Sequence, residues 1–279
     1  MNIFKVPSWI HQYAYPYEKA DDIPQRIFDE INQGLDKLQS ETPLVTILIS
    51  AWNEEVNILR CIATLAKQKT NIPFEIIIVN NNSTDNTQQT IDKFHVKTLF
   101  QSIQGCGPAR QLGQENAKGK YILLADADCL YPDCWVQEMM SVLQRKNVVC
   151  VYGRYSFIDE PGFSRWKLFL FEKLKDIIAE FRHIRKPYLN CYGLSMGFVK
   201  EYSLKVGFVM TKFWGDDGKL ALGLMNYGKI KQVKANKARV WTGVRSLQRD
   251  GNFLEAFTHR LKKEARRFIA NFFGKLPEN

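Results

Sequence analysis

The sequence predicts an α/β protein built on a mostly parallel sheet with helices on both faces. From residue 44 to residue 128, short apolar runs alternate with helical stretches, the pattern of consecutive βαβ units. These runs are apolar throughout, not at every second residue, as strands buried on both faces are. A third observation picks out one edge of the sheet. Residues 121–128, Tyr-Ile-Leu-Leu-Ala-Asp-Ala-Asp, close an apolar run with carboxylates at i and i+2. Side chains alternate faces along a strand, so Asp126 and Asp128 leave its end on one side together.

The elements follow in order. Residues 1–42 form an acidic, aromatic extension with a helix near 24–38, where Ile27, Ile31, Leu35 and Leu38 share a face. Pro43 opens the main domain, expected over 43–240. Its first half, 43–130, has strands at 44–50, 74–80, 96–100 and 121–125, with helices at 54–69, 84–94 and 108–118 between them. The second half, 131–240, opens with a helix at 132–145 and a strand at 148–157. Past Pro161-Gly162, residues 163–185 are aromatic and amphipathic, and 189–200 are rich in glycine and small residues. A helix at 218–227 and a short strand at 230–235 close this half. The C-terminal extension, 241–279, carries a basic amphipathic helix over 252–273.

Composition narrows the function classes. A chain of 279 residues, 45% hydrophobic and 13% aromatic, buries a sizeable core and is not disordered. The net charge of +10 suits an anionic partner such as nucleotide phosphates or an acidic membrane surface, or simply keeps the chain soluble. No recognised nucleic-acid module is present, so nucleic acid is not expected as a partner. Six cysteines (61, 106, 129, 134, 150 and 191) lack Cys-x-x-Cys spacing and read as reduced packing residues, with Cys129 and Cys134 the one metal suspicion. No secretory signal is apparent at the start, and no run reaches the roughly 18 uncharged apolar residues of a membrane span. The expectation is a cytoplasmic protein, at most peripheral on a membrane.

Ligands of open parallel sheets bind outside the carboxyl ends of the strands. The informative loops are therefore 50–55, 80–85 and 126–128. Trp52 leaves the first strand and either stacks a nucleobase or packs into the core. Asn53 suits the N-cap of the next helix. In the second loop, Asn80-Asn81-Asn82 tolerates a tight turn with positive φ, and Ser83 or Asp85 can cap the helix after it. Gly105-Cys106-Gly107-Pro108-Ala109-Arg110 is half of a dinucleotide loop with its last glycine replaced by Arg110, which disfavours a dinucleotide cofactor. Pro108 suits a first helical turn, and from there Arg110 grips a phosphate or base carbonyl, or forms a surface salt bridge. Asp126 and Asp128 suit a hard divalent cation, Mg2+ or Mn2+.

Taken in order, Ser50-Ala51-Trp52-Asn53-Glu54, Val79 to Asp85, Gly107 to Gly113 and Asp126-Ala127-Asp128 resemble the nucleotide-binding half of inverting family-2 glycosyltransferases. The resemblance covers residues 44–128 and implies a GT-A fold with a helical C-terminal extension. It makes 43–130 the nucleotide-binding half and 131–240 the acceptor half. It implies that Ser50, Trp52, Glu54, Asn81 and Arg110 surround the nucleoside. Asp126 would reach the ribose and the metal, and Asp128 would bind the metal, Mn2+ or Mg2+. Trp214-Gly215-Asp216-Asp217 matches the acidic pair that the family carries at a helix start. By that match Asp217 is the catalytic base, and Asp216 orients it or touches the acceptor; taken alone, the pair reads first as helix-capping carboxylates. Tyr192 to Phe198 resembles, more loosely, the family's small-residue segment lining the acceptor cleft.

The departures are Ser50 for the usual proline, Trp52 for tyrosine, and Asn80-Asn81 for paired aspartates. An amide both donates and accepts, so the base preference does not carry over. The implied function is inverting transfer of a sugar from a nucleoside-diphosphate donor to a hydroxyl, in surface-glycan or lipid-linked glycan synthesis. Two amphipathic stretches, 163–181 and 252–273, either pack on the domain or lie on an anionic bilayer; the second case implies a lipid-linked acceptor. A sugar-nucleotide pyrophosphorylase would show a Gly-rich basic loop after the first strand, which 50–55 lacks. A catalytically silent nucleotide-binding scaffold has no chemical reason to keep Asp126, Asp128 and Asp217 together.

Overall fold

The computed structural model describes residues 5–211, 215–249, Gly251, Glu255 and Thr258. The helix expected over 252–273 and Trp214 lie outside the described residues. The first half alternates as its sequence pattern requires: β1 (Val45–Ala51), α3 (Asn57–Leu65), β2 (Phe74–Asn80), α4 (Thr87–Ile91), β3 (Lys97–Phe100), α5 (Cys106–Glu115) and β4 (Tyr121–Asp126). Ahead of them stand α1 (Ser8–His11) and α2 (Gln25–Leu38). After β4 come β5 (Cys129–Leu130), α6 (Trp135–Leu143), β6 (Val148–Tyr152), β7 (Tyr155–Phe157) and the long α7 (Arg165–Arg185). The remaining elements are β8 (Met196–Val199), α8 (Lys200–Val206), α9 (Asp216–Leu224), β9 (Lys229–Gln232), β10 (Val240–Thr242) and α10 (Arg245–Gln248).

Seven strands form the main sheet in the order β3-β2-β1-β4-β8-β6-β9. β3, β2, β1 and β4 are mutually parallel, whereas β8 runs antiparallel to both β4 and β6. The period-two pleat divides the apolar runs between two cores. Ile47, Ile49, Ile76, Ile78 and Leu123 face α2, α3 and α6, while Leu48, Ile77, Val79, Ile122 and Leu124 face α5 and α9. Register then fixes the working edge. Ser50 lies level with Val79 on one side and Asp126 on the other, so three strands end together. The order of the strands reverses at β1 and β4, where open sheets leave a crevice for ligands.

Residues 5–39 belong to this core. Phe28 and Leu35 of α2 are fully buried. Asn32 donates to the Lys93 carbonyl and accepts from the His95 N–H, both at 2.9 Å. The Ala20 N–H donates to Glu55 at 2.6 Å, which braces the loop after β1.

The single strand expected over 148–157 is two strands in two sheets. The chain bends at Gly153, whose N–H donates to the Ser195 carbonyl at 2.8 Å. A Cβ on Gly153 would stand 2.2 Å from Ser195 Oγ, so this close approach needs glycine. β7 joins β10 and β5 in a small second sheet, which returns the chain to the residues just after Asp128. The small-residue stretch 189–200 becomes short turns leading into the reversed strand β8. Among the described residues no helix is long and apolar enough to cross a membrane.

Candidate active site

The first two loops are stitched to each other. Asn53 takes a left-handed conformation (φ 54°), which places its Oδ1 2.8 Å from the Thr84 N–H. The Asn53 N–H donates to Ser83 Oγ, and the Glu54 N–H to Thr87 Oγ1. Asn53 is therefore not the helix cap that its position suggested: α3 starts at Asn57, and the side chain of Asn53 binds the second loop instead. Asp85 does meet the start of α4, accepting from the Thr87 N–H at 3.0 Å. Trp52 stands 45% exposed above these loops and is not a core residue. Ser50 sits at the end of β1 opposite Asp126. Asn81 is buried, and its amide donates to the Ile103 carbonyl and accepts from the Gly105 N–H. Both its polar atoms thus hold the segment that leads into α5.

Arg110, in the second turn of α5, is the centre of the site. Only 5% of its side chain is exposed. Nη1 donates to Asp216 at 3.0 Å and to Asp217 at 2.5 Å, and Nη2 donates to Asp126 at 3.2 Å. One guanidinium so joins a carboxylate at the end of β4 to two at the start of α9. The second oxygen of Asp217 accepts from the Gly193 N–H at 2.9 Å. A Cβ at Gly193 would stand 1.9 Å from Arg110 Nη2, so only glycine lets the backbone approach this closely. Asp217 keeps 16% of its side chain open, and Asp216 only 7%.

Asp128 has a different cation. Arg245 Nη2 donates to Asp128 Oδ2 at 2.8 Å and also to Glu54 Oε1. Glu54 is buried, and its other oxygen accepts from Asn57. Sequence reasoning missed Arg245. A lone arginine after a short strand carries no signal until β10 pairs with β5 and brings it beside Asp128.

Residues 46–203, more than half of the chain, match the sequence pattern of the family described as "Glycosyl transferase family 2". The chain belongs to this family. It is 29% identical over 191 residues to a hyaluronan synthase of Pasteurella multocida, covering 64% of this chain and 19% of that one. Across four such curated relatives the matched stretch covers 19% to 52% of their length. Among solved structures, it resembles the mannosyltransferase PcManGT from Pyrobaculum calidifontis in complex with GDP-Man and Mn2+. That likeness has a TM-score of 0.56 at 16% identity and covers 84% of this chain and 70% of that one. Residues 1–349 of S. aureus TarS in complex with UDP give a TM-score of 0.56 at 15% identity, covering 83% and 72%. The fold is the GT-A type: a mostly parallel sheet flanked by helices.

The electrostatics of this family-2 site follow from its crowding. Burial pushes Asp126 up to about 7, and Asp128 and Asp217 add to the rise against the pull of Arg110. Burial likewise raises Asp217, opposed by Arg110 and assisted by Asp216. Glu54 is raised by burial, with its bond to Arg245 pulling the other way. Asp126, Asp128 and Cys129 bring potential ligand atoms within 4.8 Å of one another. The two carboxylates fit a hard divalent ion. Cys129 offers a soft thiol, which does not suit such an ion; burial and the nearby Asp128 raise it well above the usual range. Cys134 lies apart from this group, with Sγ 3.4 Å from the Lys237 carbonyl.

Removing the guanidinium leaves three crowded carboxylates without their cation. Arg110→Met is expected to destabilise the fold by about 3–5 kcal/mol, read by urea unfolding at pH 7.5, with part of the loss regained at pH 5. A loss under about 1 kcal/mol, the worth of an exposed ion pair, would show that Arg110 is not the keystone. A second expectation concerns pH. The Asp126 carboxyl binds its proton more tightly folded than unfolded, so its contribution to stability is present in acid and declines as pH rises through about 7. In chelator, stability should fall less steeply between pH 5 and 8 for Asp126→Asn than for wild type; equal slopes would contradict the assignment.

Proposed function

We propose that the chain is a metal-dependent inverting glycosyltransferase, moving a sugar from a nucleoside-diphosphate donor to an acceptor hydroxyl. The observation that carries this is the convergence of Asp126, Asp216 and Asp217 on one buried guanidinium. It sets a donor-side carboxylate and a base-side carboxylate in one cleft, as transfer between two substrates requires. The GDP-Man and Mn2+ of the mannosyltransferase and the UDP of TarS support a nucleotide donor.

In this reading residues 43–130 bind the donor and 131–240 present the acceptor. Trp52 stacks the base, Ser50 and Glu54 line the pocket beneath it, and Asp126 meets the ribose. Asn81 acts through the backbone of 103–105, which shapes the pocket wall. Asp128, with Asp126, holds Mn2+ or Mg2+, which when bound supplies Lewis-acid stabilisation of the leaving diphosphate. Asp217, the more open of the pair, takes the proton from the acceptor hydroxyl as it attacks opposite the diphosphate. Asp216 holds Arg110 and so keeps Asp217 in place.

Helix α7 supports a membrane-surface acceptor. Trp166, Leu170, Ile177, Phe181 and Ile184 are exposed at spacings of four, seven, four and three residues, which is one helical stripe. The helix's own anions are engaged by the protein: Glu172 by Arg165, Asp176 by Arg239, and Glu180 by Arg154 and Lys234. Lys167, Lys173 and Arg185 lie along the stripe's edges, where like charge opposes pairing with a second copy and favours an anionic bilayer. The acceptor is then a lipid-linked or growing surface glycan, reached from the cytoplasmic face.

The donor reading predicts a shift in unfolding. UDP or GDP with Mn2+ at a hundred times its dissociation constant should add about 2.7 kcal/mol of stability, and Asp128→Ala should lose that shift. Asp217→Asn should keep it while donor hydrolysis falls about 10²–10⁴-fold. No shift with either nucleotide in folded wild type would favour a silent scaffold. For the membrane, wild type should sediment with vesicles containing phosphatidylglycerol but not with pure phosphatidylcholine. The double variant F181E/I184E should stay in the supernatant; equal sedimentation would remove α7 from the interface.

A further inference from the structure

Arg245 is unlike Arg110 in every respect that matters to a ligand. It is 45% exposed, stands on the four-residue helix α10, and among the described residues has two ion-pair partners, both carboxylates of the candidate donor site. Those partners come from different strand ends, Glu54 after β1 and Asp128 after β4. The backbone below it is fixed, because Trp241 and Thr242 of β10 pair with Leu130 and Cys129. The side chain can therefore move while its base stays within reach of the crevice.

The guanidinium occupies Asp128 Oδ2, one of the two oxygens this carboxylate could offer a divalent ion. Two cations side by side also repel, so binding of the ion displaces Arg245 from Asp128. The donor brings a diphosphate to the same edge, and a planar guanidinium matches phosphate oxygens two at a time. Resting on the donor-site reading above, we propose that Arg245 binds the donor's diphosphate and, before donor and metal arrive, stands in for the metal's charge on Asp128. Metal binding then frees the guanidinium that the nucleotide needs, which couples the two ligands in sequence.

The test compares wild type, Arg245→Gln and Arg245→Lys, with Mn2+ alone, then UDP and GDP, then uridine and guanosine. Calorimetry of the nucleotide-free protein should show Arg245→Gln binding Mn2+ at least threefold more tightly than wild type. At saturating Mn2+, the same variant should bind the diphosphate about tenfold more weakly (~1.4 kcal/mol), with nucleoside affinity unchanged. Arg245→Lys should keep the wild-type Mn2+ affinity and lose diphosphate affinity alone, and it carries the test if the Gln variant does not fold. Unchanged or weaker Mn2+ binding in Arg245→Gln overturns the proposal. So does equal weakening of diphosphate and nucleoside, which marks a structural ion pair. Failure of the donor-site reading itself is seen separately, as wild type that binds neither UDP nor GDP with Mn2+.

Discussion

Asp126, Asp216 and Asp217 come together at one buried point only because the Arg110 guanidinium lies between them. Carboxylates this close repel, and burial withholds the water that would screen them. Much of the local architecture reads as a consequence. Gly193 has no side chain where one would strike Arg110. Gly215 adopts φ 97°, which turns the chain into α9 with both carboxylates in its first turn. Asn81 holds the backbone from which α5 starts, and so sets where Arg110 begins.

The sheet delivers these groups to one place. Parallel pairing of β1 with β2 and β4 brings three strand ends level, and the reversed β8 brings residues 193–195 back toward the same edge. Neither half of the chain is complete alone, since Arg110 and Asp126 come from the first and Asp216, Asp217 and Gly193 from the second. The N-terminal segment contributes at one remove. Its Ala20 N–H holds Glu55, whose carboxylate also meets Asn86 in the second loop.

Much of this was legible in the sequence because the signals were local. Buried parallel strands read as unbroken apolar runs, and 74–80 was legible to the residue. The carboxylates at 126 and 128 stood out by their place after an apolar run, and those at 216 and 217 only through the family resemblance. What stayed hidden depends on contacts distant in sequence. Nothing around Gly153 shows that Ser195 will press against it, so 148–157 reads as one strand. Arg110 reads as a phosphate grip or a surface ion pair because its partners lie as much as 107 residues away. Arg245 is more distant still, 117 residues from Asp128 and 191 from Glu54. Asn53 failed as a cap for a related reason. Its side chain finds a better acceptor and donor set in the neighbouring loop than in its own helix.

The balance of charge bears on which metal the proposed site would take. Glu54, Asp126, Asp128, Asp216 and Asp217 share the cleft with Arg110 and Arg245. Arg110 is locked among three carboxylates, so it stays with the fold whatever binds. Glu54 and Asp128 share the exchangeable Arg245, and Asp126 meets Arg110 through Oδ1; all three offer oxygen alone. Cys129, a soft donor, is buried beside Asp128. The same crowding of carboxylates that makes Arg110 necessary gives the cleft an oxygen donor set, the kind that suits a hard ion.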